Sequence, residues 1–102
     1  MAFSGAIMLS EKDNVATALE ELEPHTNVAV RVGGKVITVE TLEKVPFGFK
    51  VAVADIAQYA HVIKYGESIG VASSDIKKGE MVHVHNLEGG RGRGDKAKGG
   101  AS

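Results

Sequence analysis

The sequence predicts a mainly β, single-domain protein with one short N-terminal helix and a flexible C-terminal tail. Three observations predict it. Short β-branched segments alternate in character, as Val28, Val30 and Val32 do around Ala29 and Arg31. Glycines at 48, 66, 70 and 79 punctuate these segments where tight turns or close backbone approaches would fall. The segment 88–102 reads EGGRGRGDKAKGGAS and holds no aliphatic residue larger than alanine.

Taken in order, Phe3 to Leu9 is short and apolar, which suits an opening strand. Residues 10–14 are of helix-capping type and precede Val15, Ala18, Leu19 and Leu22, which follow helical spacing and predict one apolar stripe. Asp13 serves as N-cap, or Ser10 and Asp13 form a capping box. Pro24 ends the helix, because the residue before a proline avoids the helical region. Glu20, Glu21 and Glu23 then crowd the helix C-terminus, where the macrodipole disfavours anions by about 0.3–1 kcal/mol each. Beyond it the period becomes two, and Gly33-Gly34 supplies a hairpin turn into a strand over 35–39. Lys50 to Ile56, His61 to Tyr65 and Met81 to Leu87 read as further strands of a compact barrel-like or folded-ribbon sheet. Residues 1–87 form the domain. Residues 88–102 carry a net charge of +2, leaving −3 on the body, and cannot offset their ordering entropy by burial.

Composition narrows the function. The chain has 102 residues, so its core is small and a deep private catalytic cleft would consume much of it. Its 12 basic and 13 acidic residues give no electrostatic reason to bind nucleic acid or an anionic membrane. Two tyrosines and three phenylalanines offer few stacking platforms for bases. The absence of cysteine excludes disulfides, thiolate zinc sites and cysteine nucleophiles. The first nine residues lack a basic leader and cleavage signature, so the expected location is cytoplasmic.

Three segments could carry chemistry. In Met81-Val-His-Val-His-Asn-Leu87, a strand would place His83 and His85 on one face, about 6.5–7 Å apart at Cα, with Asn86 towards the other. Two such imidazoles could share a metal or flank a carboxylate; a half-exposed strand with histidines on its polar face fits the same spacing. In the segment 63–70, Gly66 and Gly70 permit a sharp turn that sets the Lys64 ammonium and Tyr65 hydroxyl near backbone amides able to meet an anion, while an ordinary hairpin with an outstretched lysine also fits. Arg91, Arg93 and Asp95 could grip carboxylates or phosphates, or form a linker. His25 and His61 are isolated and read as surface or rim residues. No Gly-x-Ser-x-Gly, P-loop or dinucleotide fingerprint is present.

Asp13-Asn-Val-Ala-Thr-Ala-Leu19, Val45-Pro-Phe-Gly-Phe-Lys-Val-Ala52, Ile63-Lys-Tyr-Gly-Glu-Ser-Ile-Gly70, Asp75-Ile-Lys-Lys-Gly-Glu80 and Val82-His-Val-His-Asn-Leu87 occur in this order. As an ordered set over about residues 8 to 95 they resemble the N-terminal domain, or separate small subunit, of altronate/galactarate dehydratases. The small subunit of sulfolactate sulfo-lyase is similar too. The resemblance implies a β-clip fold of the SAF type, and a small subunit, inactive alone, of a lyase whose large partner carries most of the catalytic apparatus. It implies a divalent metal, iron(II) or manganese, on or shared with that partner, and a small hydroxy-acid substrate such as altronate or galactarate. Loss of an α-proton to a base on the large subunit and of the β-hydroxyl would give a 2-keto-3-deoxy acid. His83 and His85 would then act in catalysis or metal binding, Asn14, Lys50, Lys64, Tyr65 and Asn86 in substrate contact, and Arg91, Arg93 and Asp95 in docking. A sulfite-releasing lyase and a stand-alone sugar- or anion-binding module are the alternatives, and a homo-oligomer of the isolated chain is compatible with either. Two departures from the family pattern stand out. Gly48-Phe49-Lys50 replaces Gly-His-Lys, and Tyr59-Ala60-His61 replaces a Gly-Asp/Glu step, so that His61 could take over a lost histidine's place.

Overall fold

The computed structural model describes residues 5–89, and every element in it is a strand. The strands are β1 (Ala6–Met8), β2 (Val15–Ala18), β3 (Asn27–Val32), β4 (Lys35–Glu40), β5 (Lys50–Ala52), β6 (His61–Lys64), β7 (Glu67–Ala72), β8 (Met81–Val82) and β9 (Leu87–Glu88). Six form one sheet in the order β4-β3-β1-β2-β5-β8, and three form a second in the order β6-β7-β9. All neighbours are antiparallel except β1 and β3, which run parallel. Among the described residues no helix is long and apolar enough to cross a membrane.

The hairpin at Gly33-Gly34 forms as expected, pairing Val32 with Lys35 and Val28 with Val39. Its inward residues Val28, Val30, Val32 and Val39 are buried, so the period-two pattern reports the core here directly.

The expected helix over 15–22 is absent. Val15–Ala18 is a strand bonded on both edges, to β1 through Ala6↔Ala18 and to β5 through Val15↔Ala52. It is also covered on both faces. Val15 belongs to a core with Ala52, Ile56, Val62, Ala72, Ile76 and Val82, whereas Ala16 and Ala18 belong to another with Val30, Val39, Leu22 and Val45. A strand walled between two cores loses its polar alternation, and a short apolar run then mimics a helical stripe. With the helix goes the macrodipole conflict: Glu21 instead pairs with Lys44 at 3.3 Å. That ammonium holds the Glu21 carboxyl below the usual carboxylate range.

The rest of the chain repeats one device four times. A fully buried small residue (Ala18, Thr41, Ala52 or Ala72) leads, four positions later, to a buried aliphatic (Leu22, Val45, Ile56 or Ile76). Three positions further on stands a residue with positive φ: His25, Gly48, Tyr59 or Gly79. The units pair off through antiparallel bridges, Leu22 with Val45 and Ile56 with Ile76. Within each pair the positive-φ residue donates its N–H to the partner unit's small residue, as His25 does to Thr41 O and Gly48 to Ala18 O. Tyr59 to Ala72 O and Gly79 to Ala52 O repeat this in the second pair. Small leading residues allow that approach, and each bridge anchors one of the two cores. Asp55 and Asp75 occupy equivalent places and accept the N–H of Lys78 and of Gln58, respectively. Residues expected to extend the fifth strand to Ile56 instead enter one of these units after Ala52.

Candidate functional site

The site forms where the two sheets meet. Lys50 opens β5, hydrogen-bonded in register with Thr17 of β2 on one side and Val82 of β8 on the other. Lys64 closes β6, and the hairpin Lys64-Tyr65-Gly66-Glu67 carries it round to β7. The Lys64 ammonium lies 4.7 Å from the centre of the Tyr65 ring, a cation–π contact at an exposed turn. Burial lowers the Lys50 pKa first, and the neighbouring Lys64 charge lowers it further. Among the described residues neither lysine forms an ion pair with a carboxylate. Two ammonium groups on separate sheets thus feel each other's charge with no paired carboxylate among the described residues, an arrangement that favours an anion between them.

His83 follows β8 directly, and its ring lies 4.4 Å from that of Phe49, tilted by 39°. Phe49, which precedes Lys50, therefore packs against His83. His83 and His85 do not share a strand face, contrary to expectation. The strand stops at Val82, and residues 83–86 turn. Asn86 causes the stop. Its Oδ1 accepts the His83 N–H at 2.9 Å, its Nδ2 donates to Met81 O at 2.9 Å, and its own N–H donates to His83 O at 3.0 Å. A short amide side chain offering the backbone local bonds outcompetes the ladder. Asn86 is buried in this role, while Val84 and His85 are exposed at the turn.

Asn14 likewise spends its amide on the backbone. Oδ1 accepts the Ile63 N–H at 2.7 Å and Nδ2 donates to His61 O at 3.0 Å, tying β6 to the start of β2. His61 lies on the second sheet with Nδ1 2.8 Å from Ser68 Oγ. The structure thus brings Lys64 and Tyr65 together near Lys50, sets His83 against Phe49 on the other face of β5 and β8, spends the amides of Asn14 and Asn86 on the backbone, and leaves His85 on the surface. Arg91, Arg93 and Asp95 lie outside the described residues.

Asp13 was legible only as a helix cap. It is a buried carboxylate whose two oxygens accept the N–H groups of Tyr65 and Gly66. Among the described residues no three His, Asp or Glu side chains gather as a metal site, so His83 and His85 do not complete one from this chain. A concavity of about 400 Å³ elsewhere is lined by Glu20, Glu21 and Glu23, which suits an anionic ligand poorly.

Residues 4–90 match the family described as the altronate/galactarate dehydratase SAF domain. The chain is 45% identical over 80 residues to altronate dehydratase of Escherichia coli, spanning 78% of this chain and 15% of that protein. It is 34% identical over 82 residues to altronate dehydratase of Bacillus subtilis, spanning 80% of this chain and 16% of that protein. It is also 43% identical over 49 residues to the (2R)-sulfolactate sulfo-lyase subunit alpha of Chromohalobacter salexigens, spanning 48% of this chain and 52% of that one. The chain therefore spans about a sixth of the length of the altronate dehydratases it matches. With a match that runs nearly from end to end, on an all-strand fold, the chain belongs to the altronate/galactarate dehydratase SAF domain family.

Proposed function

We propose that this chain is the SAF component of a two-part hydroxy-acid lyase and supplies the cationic wall of an active site completed by a larger component. The observation that carries this is that Lys50 and Lys64, half-buried on two different sheets, lie near enough for one charge to lower the other's pKa, while no carboxylate among the described residues pairs with either. A sugar-acid carboxylate docked there would satisfy both ammonium groups, with Tyr65 beside Lys64. The chain's span of 15% of an altronate dehydratase fits a component that orients substrate while the base and most remaining machinery lie elsewhere. The divalent metal expected of such lyases, iron(II) or manganese, belongs to the large component in this reading, since the described residues do not complete a site for it.

Dehydration of altronate or galactarate to a 2-keto-3-deoxy acid is the reaction put forward. Sulfite release from sulfolactate is the second, favoured by the relative that is itself a subunit alpha and of which the chain covers 52%. The test is reconstitution with a large dehydratase-type subunit and either metal. Dehydration and sulfite release are assayed side by side, and the chain alone is expected to be inert. Lys64→Met should raise KM by about ten- to a hundredfold, the worth of one charge-assisted hydrogen bond, with a smaller change in kcat. A reconstituted complex indifferent to Lys50→Met and Lys64→Met refutes the anion wall. Wild-type rates in both His83→Ala and His85→Ala remove the histidines from the chemistry. Tight sugar-acid binding by a chain that engages no large component would favour a stand-alone binding module.

A further inference from the structure

Lys50 and Lys64 stand on different sheets, so their separation depends on what joins those sheets. The Asp13-Asn14 pair is placed to do so. Asp13 Oδ2 accepts the Tyr65 N–H at 3.0 Å and Oδ1 accepts the Gly66 N–H at 2.8 Å. The carboxylate is only 6% exposed and reaches a hairpin more than fifty positions away. Asn14 adds its two side-chain bonds to Ile63 and His61, and its own N–H donates to Ile63 O at 3.2 Å. On the other side, Asn14 O accepts the Val53 N–H at 3.0 Å, just beyond the end of β5. The pair therefore touches both the strand that follows Lys50 and the strand that carries Lys64.

The hairpin needs this hold. Tyr65 has φ 59° and Gly66 φ 78°, so two successive residues are left-handed and one of them is a tyrosine. A bulky residue there is strained. Two charge-assisted hydrogen bonds to successive N–H groups offset the strain.

We propose that Asp13 is a positioning residue: with Asn14 it clamps the hairpin of the second sheet to the first, setting the separation of the Lys50 and Lys64 ammonium groups for a substrate carboxylate or sulfonate. This deepens the two-lysine reading above and rests on it. A merely structural Asp13 would stabilise the fold without governing how strongly one lysine feels the other.

The experiment titrates Lys50 in the full chain by NMR of its terminal methylene group, in wild type, Asp13→Ala, Lys64→Met and the double variant. Lys64→Met removes the neighbouring charge and should move the Lys50 titration upward. Asp13→Ala should also move it upward, because the hairpin drifts away, and should add nothing once Lys64 is methionine. Amide exchange at Tyr65 and Gly66 should quicken about tenfold or more in Asp13→Ala, while Val30 and Val39 stay protected. Asp13→Asn, which keeps an accepting oxygen, should lie between and carries the same comparison if the alanine variant does not fold. An unmoved Lys50 titration in a folded Asp13 variant overturns the proposal. So does an upward shift of equal size with and without Lys64. No step requires turnover, so an inert reconstituted complex would sink the lyase reading and leave the clamp standing.

Discussion

The four-fold turn unit makes a stability prediction that two of its equivalent positions answer differently. Gly79 has φ +98°, and a Cβ built there would lie 2.1 Å from Glu40 O and 3.2 Å from Leu42 Cγ. Gly79 O also accepts the Leu42 N–H at 2.9 Å, so the two segments cannot separate without breaking that bond. Gly79→Ala should cost about 1–2 kcal/mol for the left-handed backbone and about 1 kcal/mol for the bond, with the clash in addition. A loss of about 3 kcal/mol or more is large against the roughly 4–13 kcal/mol expected of a domain this size. Gly48 occupies the equivalent place with φ +85° and nothing within 4 Å of its would-be Cβ. Gly48→Ala meets only the backbone cost, partly offset by a stiffer unfolded chain, and should lose about 1 kcal/mol. Tyr59 already carries the strain, at φ 72° with its side chain 70% exposed. Tyr59→Gly releases about 1–2 kcal/mol of it and adds about 0.5–1 kcal/mol of unfolded-state entropy, so it should be neutral to slightly stabilising.

Urea denaturation followed by far-ultraviolet circular dichroism measures all three, and thermal melts should separate the two alanine variants by about 8 °C or more. Equal losses for Gly48→Ala and Gly79→Ala would show that the close approach of Gly79 to Glu40 does not govern that turn. A Tyr59→Gly variant destabilised by more than about 1 kcal/mol would refute the left-handed strain assigned to Tyr59.

Three other expectations follow from named contacts. Asn86→Ala should lose about 2–3 kcal/mol in denaturant melts, by leaving Met81 O and the His83 N–H without their partner, and should blur the ring-current shifts of His83 against Phe49. Thr41→Val should lose about 1–3 kcal/mol, since the wholly buried hydroxyl donates to Glu23 O and accepts the Thr26 N–H. Lys50 has its pKa lowered by folding, so the unfolded chain holds that proton more tightly and the charged form opposes folding. Its penalty is full below the folded pKa and fades as pH rises to the ordinary lysine value of 10.5. Lys50→Met should therefore stabilise the chain at neutral pH, with a gain that shrinks towards alkaline pH in urea melts.

What the sequence disclosed depended on how many faces of a strand are buried. β3 has one inward face, so its alternating valines located it, and the Gly33-Gly34 turn located β4 beside it. β2 is buried on both faces, and its pattern imitated a helix. The turn unit was present in the sequence as a small residue, an aliphatic four places on and a left-handed residue three beyond that. It stayed hidden because the left-handed place is filled by His25 and Tyr59 as well as by Gly48 and Gly79. Only spacing repeats. For the site, Lys64-Tyr65-Gly66 showed as a turn, but the His83/His85 pair misled, because period two cannot register that Asn86 takes the backbone bonds a strand would need. Asp13 showed as a helix N-cap, but a strand follows it and its carboxylate instead holds a hairpin turn. Its targets are Tyr65 and Gly66 rather than the residues that follow it, a partner choice that only the fold determines.

The distribution of charge bears on the proposed division of labour between two components. Residues 1–87 carry −3 overall, yet Lys50 feels the charge of Lys64 and, among the described residues, neither is paired with a carboxylate. Holding like charges together costs stability, and a fold tolerates that where a ligand offsets the repulsion. An anion alone would do so, but a half-buried cationic pair that stays open to water on one side binds it weakly, because both partners remain partly solvated. Covering the pair with a second surface lowers the local dielectric and strengthens the same contacts severalfold. The described residues provide the clamp, the lysines and the Phe49-backed His83, and form no metal group that would let them act without such a cover. On the two-part reading proposed above, a larger component closing over Lys50 and Lys64 would supply that cover, and the chain's span of a sixth of an altronate dehydratase is consistent with it.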